Sequence, residues 1–354
     1  MVDPRIQKAA DILVNYSTKI KEGEYVQIIT SPAAQELTLE IYKKALQKGA
    51  YVTIKNSMPG STAVYYKYAS KKQLEHFPEI SFAEIKKTNV IIAISAPENT
   101  RELTNVDPKL ISLRQKITNK IDEWRVKHTR WVLFDFPTQA LAQEAEMSLP
   151  EFEDFVYSAT NVDWEKESLR LNKICELVNK TDKVRIVSKD TEISFSIKGR
   201  NCVAGDGSCN MPDGEVYTSV VENTANGKIS FTYPTIYGSR ELEGVVLEFK
   251  GGKVINATAK KNQDFLNAML DQDKGARYIG EFGIGLNYNI KKHIKNILFD
   301  EKIGGTIHLA LGRSYEECKG KNKSVLHWDM ICDLRSGGKL YFDGKLVYKN
   351  GNLV

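Results

Sequence analysis

The sequence predicts a two-domain protein, in which an α/β domain with an open, mostly parallel sheet precedes a mostly β domain of the α+β type. Three observations lead to this prediction. The chain has 354 residues, which is more than one hydrophobic core usually organises. Its first half alternates apolar strands with helices, whereas short strands and turns dominate after Pro150. We place the domain boundary between residues 1–182 and 183–354.

The first domain begins with a β-α-β unit. Ser31 and Pro32 begin a helix that runs to about residue 48, and Gly49 ends it. The turn that contains Ser31 has no glycine-rich phosphate loop, so a dinucleotide or ATP site is not expected. Continuous apolar runs, which are typical of buried parallel strands, predict strands at residues 24–30, 51–55, 90–95 and 131–136.

The second domain has the pattern of an antiparallel fold. Glycine- and asparagine-rich turns separate its short strands, and Asp343-Gly344 and Asn350-Gly351 mark the turns of a closing hairpin at 340–353. Helices are expected at 151–157 and 164–178, and strands at 184–187, 192–197, 228–232, 244–249 and 254–259.

A strand predicted at residues 326–334 presents two polar side chains on one face. His327 and Asp329 are two residues apart, so they point the same way, while Trp328 and its alternate neighbours point to the core. This spacing suits a pair of metal ligands. A His-x-Asp pair alone is more often an ordinary surface pair, so the interpretation depends on the residues around it.

Other side chains with suitable chemistry accompany that pair in the second domain. The strand predicted at 304–312 displays His308 between glycine turns, and Tyr315 follows in the next loop. Glu281 lies among glycines, and Glu215 ends a turn-rich segment. Each acid therefore lies where the backbone can be held in a tight shape.

Composition excludes several classes of function. The net charge of +5 is dispersed over lysine-rich faces without a basic stripe, so nucleic-acid binding is not expected. No apolar run is long enough to span a membrane and no signal peptide is apparent, so we expect a cytoplasmic protein. Five cysteines without a C-x-x-C pair argue against a disulfide framework and a thiolate zinc site. Cys332, on the apolar face of its strand, is expected to be a buried free thiol.

Several motifs, in order along nearly the whole chain, resemble those of the thermophilic-type metallo-aminopeptidases, the family of aminopeptidase T and aminopeptidase S. The segments that carry the resemblance are Pro97-Glu98-Asn99-Thr100-Arg101-Glu102-Leu103, Asn210-Met211-Pro212-Asp213-Gly214-Glu215, Gly280-Glu281-Phe282-Gly283-Ile284-Gly285, Phe299-Asp300-Glu301-Lys302-Ile303-Gly304-Gly305-Thr306 and His327-Trp328-Asp329.

The resemblance implies a homodimeric, dinuclear metal-dependent aminopeptidase that hydrolyses N-terminal residues from peptides with broad specificity. The second domain would be catalytic and would hold two divalent ions: zinc, cobalt, manganese or magnesium. Glu281 would bridge the ions and Tyr315 would lie beside them as a second catalytic residue. By the same resemblance, the metal ligands are Glu215, Glu281, His308, His327 and Asp329.

Two other functions use the same residues. One is a different metal-dependent hydrolase, such as an amidohydrolase or a phosphatase, and the other is a non-catalytic metal-binding protein. Capped and uncapped peptides separate the first alternative from an aminopeptidase, because only an aminopeptidase requires the free amine. Glu301 is interpreted as a helix-end or loop charge, and its role as a further ligand stays open.

Overall fold

A computed structural model describes residues 2–238 and 240–354 of the chain. These residues form two compact units, Met1–Trp164 with Gly207–Pro212 and Glu165–Asp206 with Asp213–Val354. The helix that starts at Trp164 thus groups almost entirely with the second unit. The domain boundary between residues 182 and 183 stays a prediction. The predicted fold class is confirmed, because a parallel sheet with helices is followed by a mostly β region.

Helices are concentrated in the first unit. A π-helical segment, Ile12–Ser17, continues the first helix, and a 3-10 turn at Pro32–Ala34 precedes the second. The α-helices of the described residues are α1 Pro4–Asp11, α2 Gln35–Gln47, α3 Ser61–Tyr68, α4 Lys71–Glu75, α5 Glu79–Ile85, α6 Pro108–His128, α7 Gln139–Glu144, α8 Leu149–Thr160, α9 Trp164–Asn179, α10 Gln263–Leu270 and α11 Ile297–Asp300.

Most strands belong to the second unit. Those of the described residues are β1 Tyr25–Thr30, β2 Tyr51–Asn56, β3 Val90–Ser95, β4 Arg130–Asp135, β5 Lys183–Ser188, β6 Thr191–Ser196, β7 Val203–Gly205, β8 Asn210–Met211, β9 Glu215–Thr218, β10 Asn226–Ser230, β11 Thr235–Tyr237, β12 Arg240–Leu242, β13 Val246–Lys250, β14 Lys253–Thr258, β15 Ile279–Gly285, β16 Thr306–Gly312, β17 His327–Asp333, β18 Lys339–Phe342, β19 Lys345–Lys349 and β20 Asn352–Leu353.

The sheet of the first unit is parallel, as the apolar runs predicted. Its strand order is β2-β1-β3-β4-β8, and each neighbouring pair runs in the same direction. Ile28, Ile91 and Val132 are fully buried within it, because both faces of a parallel sheet are normally covered. The short strand β8 extends the sheet beyond the four strands expected from the sequence.

Two larger antiparallel sheets build the second unit. One has the order β14-β13-β10-β6-β5-β18-β19-β20, and the other has the order β17-β16-β15-β9-β7. They share one hydrophobic core, in which the rings of Phe195 and Phe282 lie 5.3 Å apart between centroids. The predicted antiparallel character of this region is confirmed, and the segment at the C-terminus forms three short strands.

The five-stranded sheet is more deeply buried than the sequence pattern suggested. Along β17 the residues that alternate with His327 are core residues, as expected, and Cys332 is a buried free thiol. By contrast, every residue of β15 and of β16 is buried, so these strands are covered on both faces. His308, which the sequence analysis placed on display between glycine turns, is itself fully buried.

Two further features concern predictions made from composition. No helix formed by residues 2–238 and 240–354 has both the length and the apolar character needed to cross a bilayer. The cysteines are free thiols, but Cys175 and Cys202 lie with their Sγ atoms 2.6 Å apart, a proximity that the spacing of cysteines along the chain did not indicate.

Candidate metal centre

Four adjacent strands bring the predicted ligands together on one face of the five-stranded sheet. Strands β9, β15, β16 and β17 are neighbours in that sheet, although long segments of chain separate them. Side chains alternate between the two faces of a strand, and the pairing registers place the five residues on the same face. We call this the ligand face; it carries Glu215, Glu281, His308, His327 and Asp329.

Each ligand-face residue lies opposite a glycine or an alanine on at least one neighbouring strand, although His308 also lies opposite Ile331 on β17. Glu215 pairs with Gly285, and His308 pairs with Gly283. In the same way Glu281 and Asp329 both pair with Ala310, and His327 pairs with Gly312. Small residues at these positions leave room above the sheet for long acidic and imidazole side chains.

The ligand face contains two overlapping clusters. The His308 cluster consists of Glu215, Glu281 and His308, and the His327 cluster consists of Glu281, His327 and Asp329. Within each cluster one nitrogen or oxygen from every residue lies within 4.8 Å of the others. Each cluster therefore has the donor types and the separation needed to hold one cation.

Glu281 belongs to both clusters, and its two oxygens serve different neighbours. Oε1 lies 3.2 Å from Nε2 of His308, and Oε2 lies 3.6 Å from Nε2 of His327. Glu281 therefore contacts both imidazoles, one with each carboxylate oxygen. The outer acids complete the clusters: Glu215 Oε2 lies 3.2 Å from His308 Nε2, and Asp329 Oδ2 lies 3.4 Å from His327 Nε2.

Backbone carbonyls fix the orientation of both imidazoles. Nδ1 of His308 donates to the carbonyl oxygen of Glu301 at 3.1 Å, and Nδ1 of His327 donates to the carbonyl oxygen of Arg313 at 2.8 Å. Because a carbonyl only accepts, Nδ1 carries the hydrogen in each ring, and Nε2 is directed at the carboxylates. This is the arrangement that orients a metal-binding histidine.

Burial and mutual proximity shift the protonation equilibria of these groups. Burial raises the pKa of Glu215 and Glu281, against the opposing effects of Lys302 and His308 respectively. Burial alone would lower the pKa of the two histidines, but the surrounding carboxylates raise the pKa of His308 to about 10 and that of His327 to about 9. The ligand face therefore binds protons strongly when no other cation compensates its acids.

Two acidic oxygens on the ligand face are poorly satisfied. Among residues 2–238 and 240–354, Glu215 Oε2 and Asp329 Oδ1 are buried without a hydrogen-bond partner, although the former lies near His308. Buried carboxylate oxygens normally have a hydrogen bond or a cation beside them. Together with the mixed nitrogen and oxygen donor set, these oxygens fit divalent metal ions of the kind predicted from the sequence.

Tyr315 lies beside the His327 cluster. Its hydroxyl group is 3.2 Å from Nε2 of His327, and the two ring centroids are 4.9 Å apart. Burial raises the pKa of Tyr315 well above the ordinary tyrosine value, so the phenol keeps its proton. The structure thus places Tyr315 next to His327, and its role as a catalytic residue stays a prediction.

Sequence reasoning missed Lys302. Its side chain has 0% exposure, and its ammonium lies 3.3 Å from Glu215 Oε1 and donates to the carboxylate of Glu301. Glu301 is not a member of either cluster among the described residues; its carbonyl holds His308 and its carboxylate pairs with Lys302. The one signal available in the sequence was the adjacent acid and base of Glu301-Lys302, which Ile303 separates from Gly304-Gly305.

Comparison with protein families identifies the family of the chain. Residues 2–353 match the family described as thermophilic metalloprotease (M29). The chain belongs to the M29 family. It is therefore a metal-dependent peptidase, a class of hydrolase that requires a divalent metal.

Relatives and solved structures agree with this assignment. Aminopeptidase AmpS of Bacillus subtilis strain 168 is 24% identical, and the alignment covers 98% of each chain. Aminopeptidase T of Thermus thermophilus is 22% identical and covers 92% of this chain and 91% of its own. The structure of wild-type AmpT from Thermus thermophilus superposes with a TM-score of 0.88 at 20% identity, covering 99% of both chains.

A second solved structure, of a protein with a different name, has a similar fold. The 2,5-dihydroxypyridine dioxygenase of Pseudomonas putida KT2440 superposes with a TM-score of 0.65 at 14% identity, covering 99% of this chain and 96% of its own. At this identity the likeness concerns the fold alone. The chemistry of this M29 protein has to be argued from its own residues.

Gly283 provides a test of the space above the sheet. A Cβ atom at this position would lie 2.0 Å from Nε2 of His308, which is tethered through Nδ1. We expect Gly283→Ala to displace His308, to lower metal content after dialysis, and to destabilise the protein by about 1–3 kcal/mol. Mass-spectrometric metal analysis and urea unfolding measure the two effects.

Gly199→Ala is the control for that substitution. A Cβ there meets no atom within 4 Å, but its φ of +72° makes any side chain strained. Stability should fall without loss of metal. Equal metal retention in both variants would contradict the account of Gly283.

The raised pKa values of His308 and His327 predict a pH dependence of metal binding. In protein stripped with a chelator, both rings are positively charged at pH 7, with a proton on each nitrogen. The pKa of His308 is about 10 and that of His327 is about 9. A metal ion has to displace these protons, so its affinity should rise with pH by about 10-fold per unit for each proton released, until the pKa is passed. Calorimetry in two buffers of different ionisation enthalpy counts the protons. Binding without proton release and without pH dependence would show that the rings are not ligands.

Proposed function

We propose that this M29 protein is a dinuclear aminopeptidase that hydrolyses the N-terminal residue of peptides and accepts many different side chains there. Two divalent ions, drawn from zinc, cobalt, manganese or magnesium, would be held by the residues of the His308 and His327 clusters. The observation that carries the proposal is the position of Glu281, whose oxygens face a different imidazole on each side. This supports two cations sharing one carboxylate.

Both the ions and the protein would contribute to catalysis. When bound, the ions supply Lewis acidity for the scissile carbonyl and lower the pKa of water. The chain keeps the donors in place, because the carbonyls of Glu301 and Arg313 anchor both imidazoles. Burial of the ligand face strengthens every electrostatic interaction within it.

A centre that holds divalent ions would also account for selection of a free amino terminus. Glu215, Glu281 and Asp329 would be occupied as metal ligands, and Glu301 is paired with Lys302, so these acids would not attract the amine by charge. A neutral amine has a nitrogen lone pair that can bind a divalent ion. The amide nitrogen of an acylated terminus has a delocalised lone pair, so an acylated peptide should bind poorly.

Tyr315 would stabilise the transition state. Its phenol stays protonated and lies at the edge of the His327 cluster. From there the hydroxyl group would donate a hydrogen bond to the carbonyl oxygen as that oxygen becomes negative. The interaction is strongest in the transition state, so it would raise kcat rather than substrate affinity.

We further propose that the enzyme acts in the cytoplasm as a homodimer, on peptides with a free N-terminus. The family resemblance supports the dimer, and the dispersed positive charge supports a partner other than nucleic acid or a membrane.

Metal-dependent cleavage of leucine p-nitroanilide tests the reaction class. Stripped protein should be inactive, and one or more of the four metals should restore release of the chromophore. N-acetyl-leucine p-nitroanilide should stay intact under the same conditions, because its amine is blocked. Cleavage of both compounds would favour a broader amidohydrolase. If neither compound is cleaved and a panel of dipeptides also stays intact, the aminopeptidase proposal is wrong.

Tyr315→Phe isolates the phenolic hydrogen bond. We expect kcat to fall on the order of 100-fold or more, with KM and metal content nearly unchanged. Tyr288→Phe is a suitable control, since the hydroxyl of Tyr288 bonds to Tyr348 and to the Gly351 carbonyl. His327→Ala should instead lose metal and activity together. Unchanged turnover in a fully loaded Tyr315→Phe enzyme would remove Tyr315 from the mechanism.

A further inference from the structure

Lys302 is a buried cation inside a centre that is built to bind cations. It follows α11, its side chain has 0% exposure, and its backbone is fixed at both ends of the residue. The Lys302 amide donates to the Phe299 carbonyl at 3.0 Å, and the Lys302 carbonyl accepts from the Asn287 amide at 3.0 Å. The backbone of Lys302 therefore has a defined position. Burying its ammonium would be costly if no acid compensated the charge.

Two carboxylates compensate this ammonium. Nζ of Lys302 lies 3.3 Å from Oε1 of Glu215, and it also donates to Oε1 of Glu301. Burial alone would lower the pKa of Lys302, but Glu215 and Glu301 raise it above the ordinary lysine value. The two carboxylates beside Nζ therefore favour the charged form of the side chain.

The ammonium makes the two clusters unequal. Glu215 divides its oxygens between Oε1, which faces Lys302, and Oε2, which faces His308. In the His327 cluster, the ion-pair contacts among the described residues join Glu281 and Asp329 to His327 and to no lysine or arginine. A divalent ion in the His308 cluster would therefore share an acidic ligand with an existing cation.

We propose that Lys302 is a fixed positive charge that makes the centre fill in two steps, the His327 cluster first and the His308 cluster only at higher metal concentration. The inference rests on the proposed dinuclear function and concerns its regulation by metal supply. Like charges repel, and a carboxylate that already compensates an ammonium attracts a second cation less strongly. Lys302 is then a positioning residue, which acts on the reaction through Glu215 and through the occupancy of the second ion.

A zinc titration of the chelator-stripped, full-length protein tests this order. Calorimetry with equilibrium dialysis should give two association steps whose constants differ by roughly 10-fold or more, the range of effects that groups neighbouring metal ligands have. Glu215→Gln should weaken mainly the second step, whereas Asp329→Asn should weaken the first. These measurements use zinc binding and need no substrate.

Two substitutions of Lys302 then distinguish the effect of its charge from the effect of its packing. Lys302→Met keeps the apolar stem and removes the charge, so the weaker step should tighten roughly 10- to 100-fold. Lys302→Arg keeps the charge and should keep a weak second step. Lys291→Met removes the same charge from an exposed lysine and should change neither step. Circular dichroism and thermal unfolding establish that each variant is folded.

The outcomes distinguish the two proposals. Equal affinities for both ions in the unmodified protein, which requires no variant to fold, would overturn the role of Lys302 and leave the aminopeptidase function intact. An unchanged or weakened second step in folded Lys302→Met would do the same. Failure to bind any divalent metal would overturn the proposed function itself, and the role of Lys302 with it.

Discussion

The second unit depends on one constraint: ionisable groups buried together have to compensate one another. Glu215, Glu281, Asp329 and Glu301 lie with two histidines and Lys302 in a region almost closed to water. An isolated charge in such a place costs several kcal/mol, so the groups are stable only as a set. Glu281 connects the set, because it is the acid that both imidazoles share. A protein that pays this energetic cost without a structural need for it normally uses the groups in binding or catalysis.

The antiparallel strand register determines where these ionisable side chains lie. Strands hold their side chains at fixed spacings, and each ligand-face residue has a glycine or alanine opposite it. The core below the sheet, which includes Phe282 and Trp328, prevents the strands from shifting by one residue, since a shift would exchange the two faces. A dioxygenase with the same fold shows that the scaffold does not determine the reaction. The donor set and its neighbours determine it.

Much of this was predictable, for reasons that differ from residue to residue. Alternation along β17 placed His327 and Asp329 on one face, and continuous apolar runs located the parallel strands. The grouping of Glu215 and Glu281 with the histidines came from the family resemblance, because strand neighbours and register depend on pairings between distant segments. Lys302 was missed since lysine is normally solvated. Helix α6 was missed although Leu110, Leu113, Ile117, Ile121 and Trp124 recur along it at helical spacing.

The central claim is that Glu281 lies between two metal ions. Crystals of the zinc-loaded protein, measured above and below the zinc absorption edge, test it directly through anomalous scattering. The account predicts two anomalous peaks, one in the His308 cluster and one in the His327 cluster, with the Glu281 carboxylate between them. A single peak at saturating zinc, or two peaks that do not share Glu281, would contradict it.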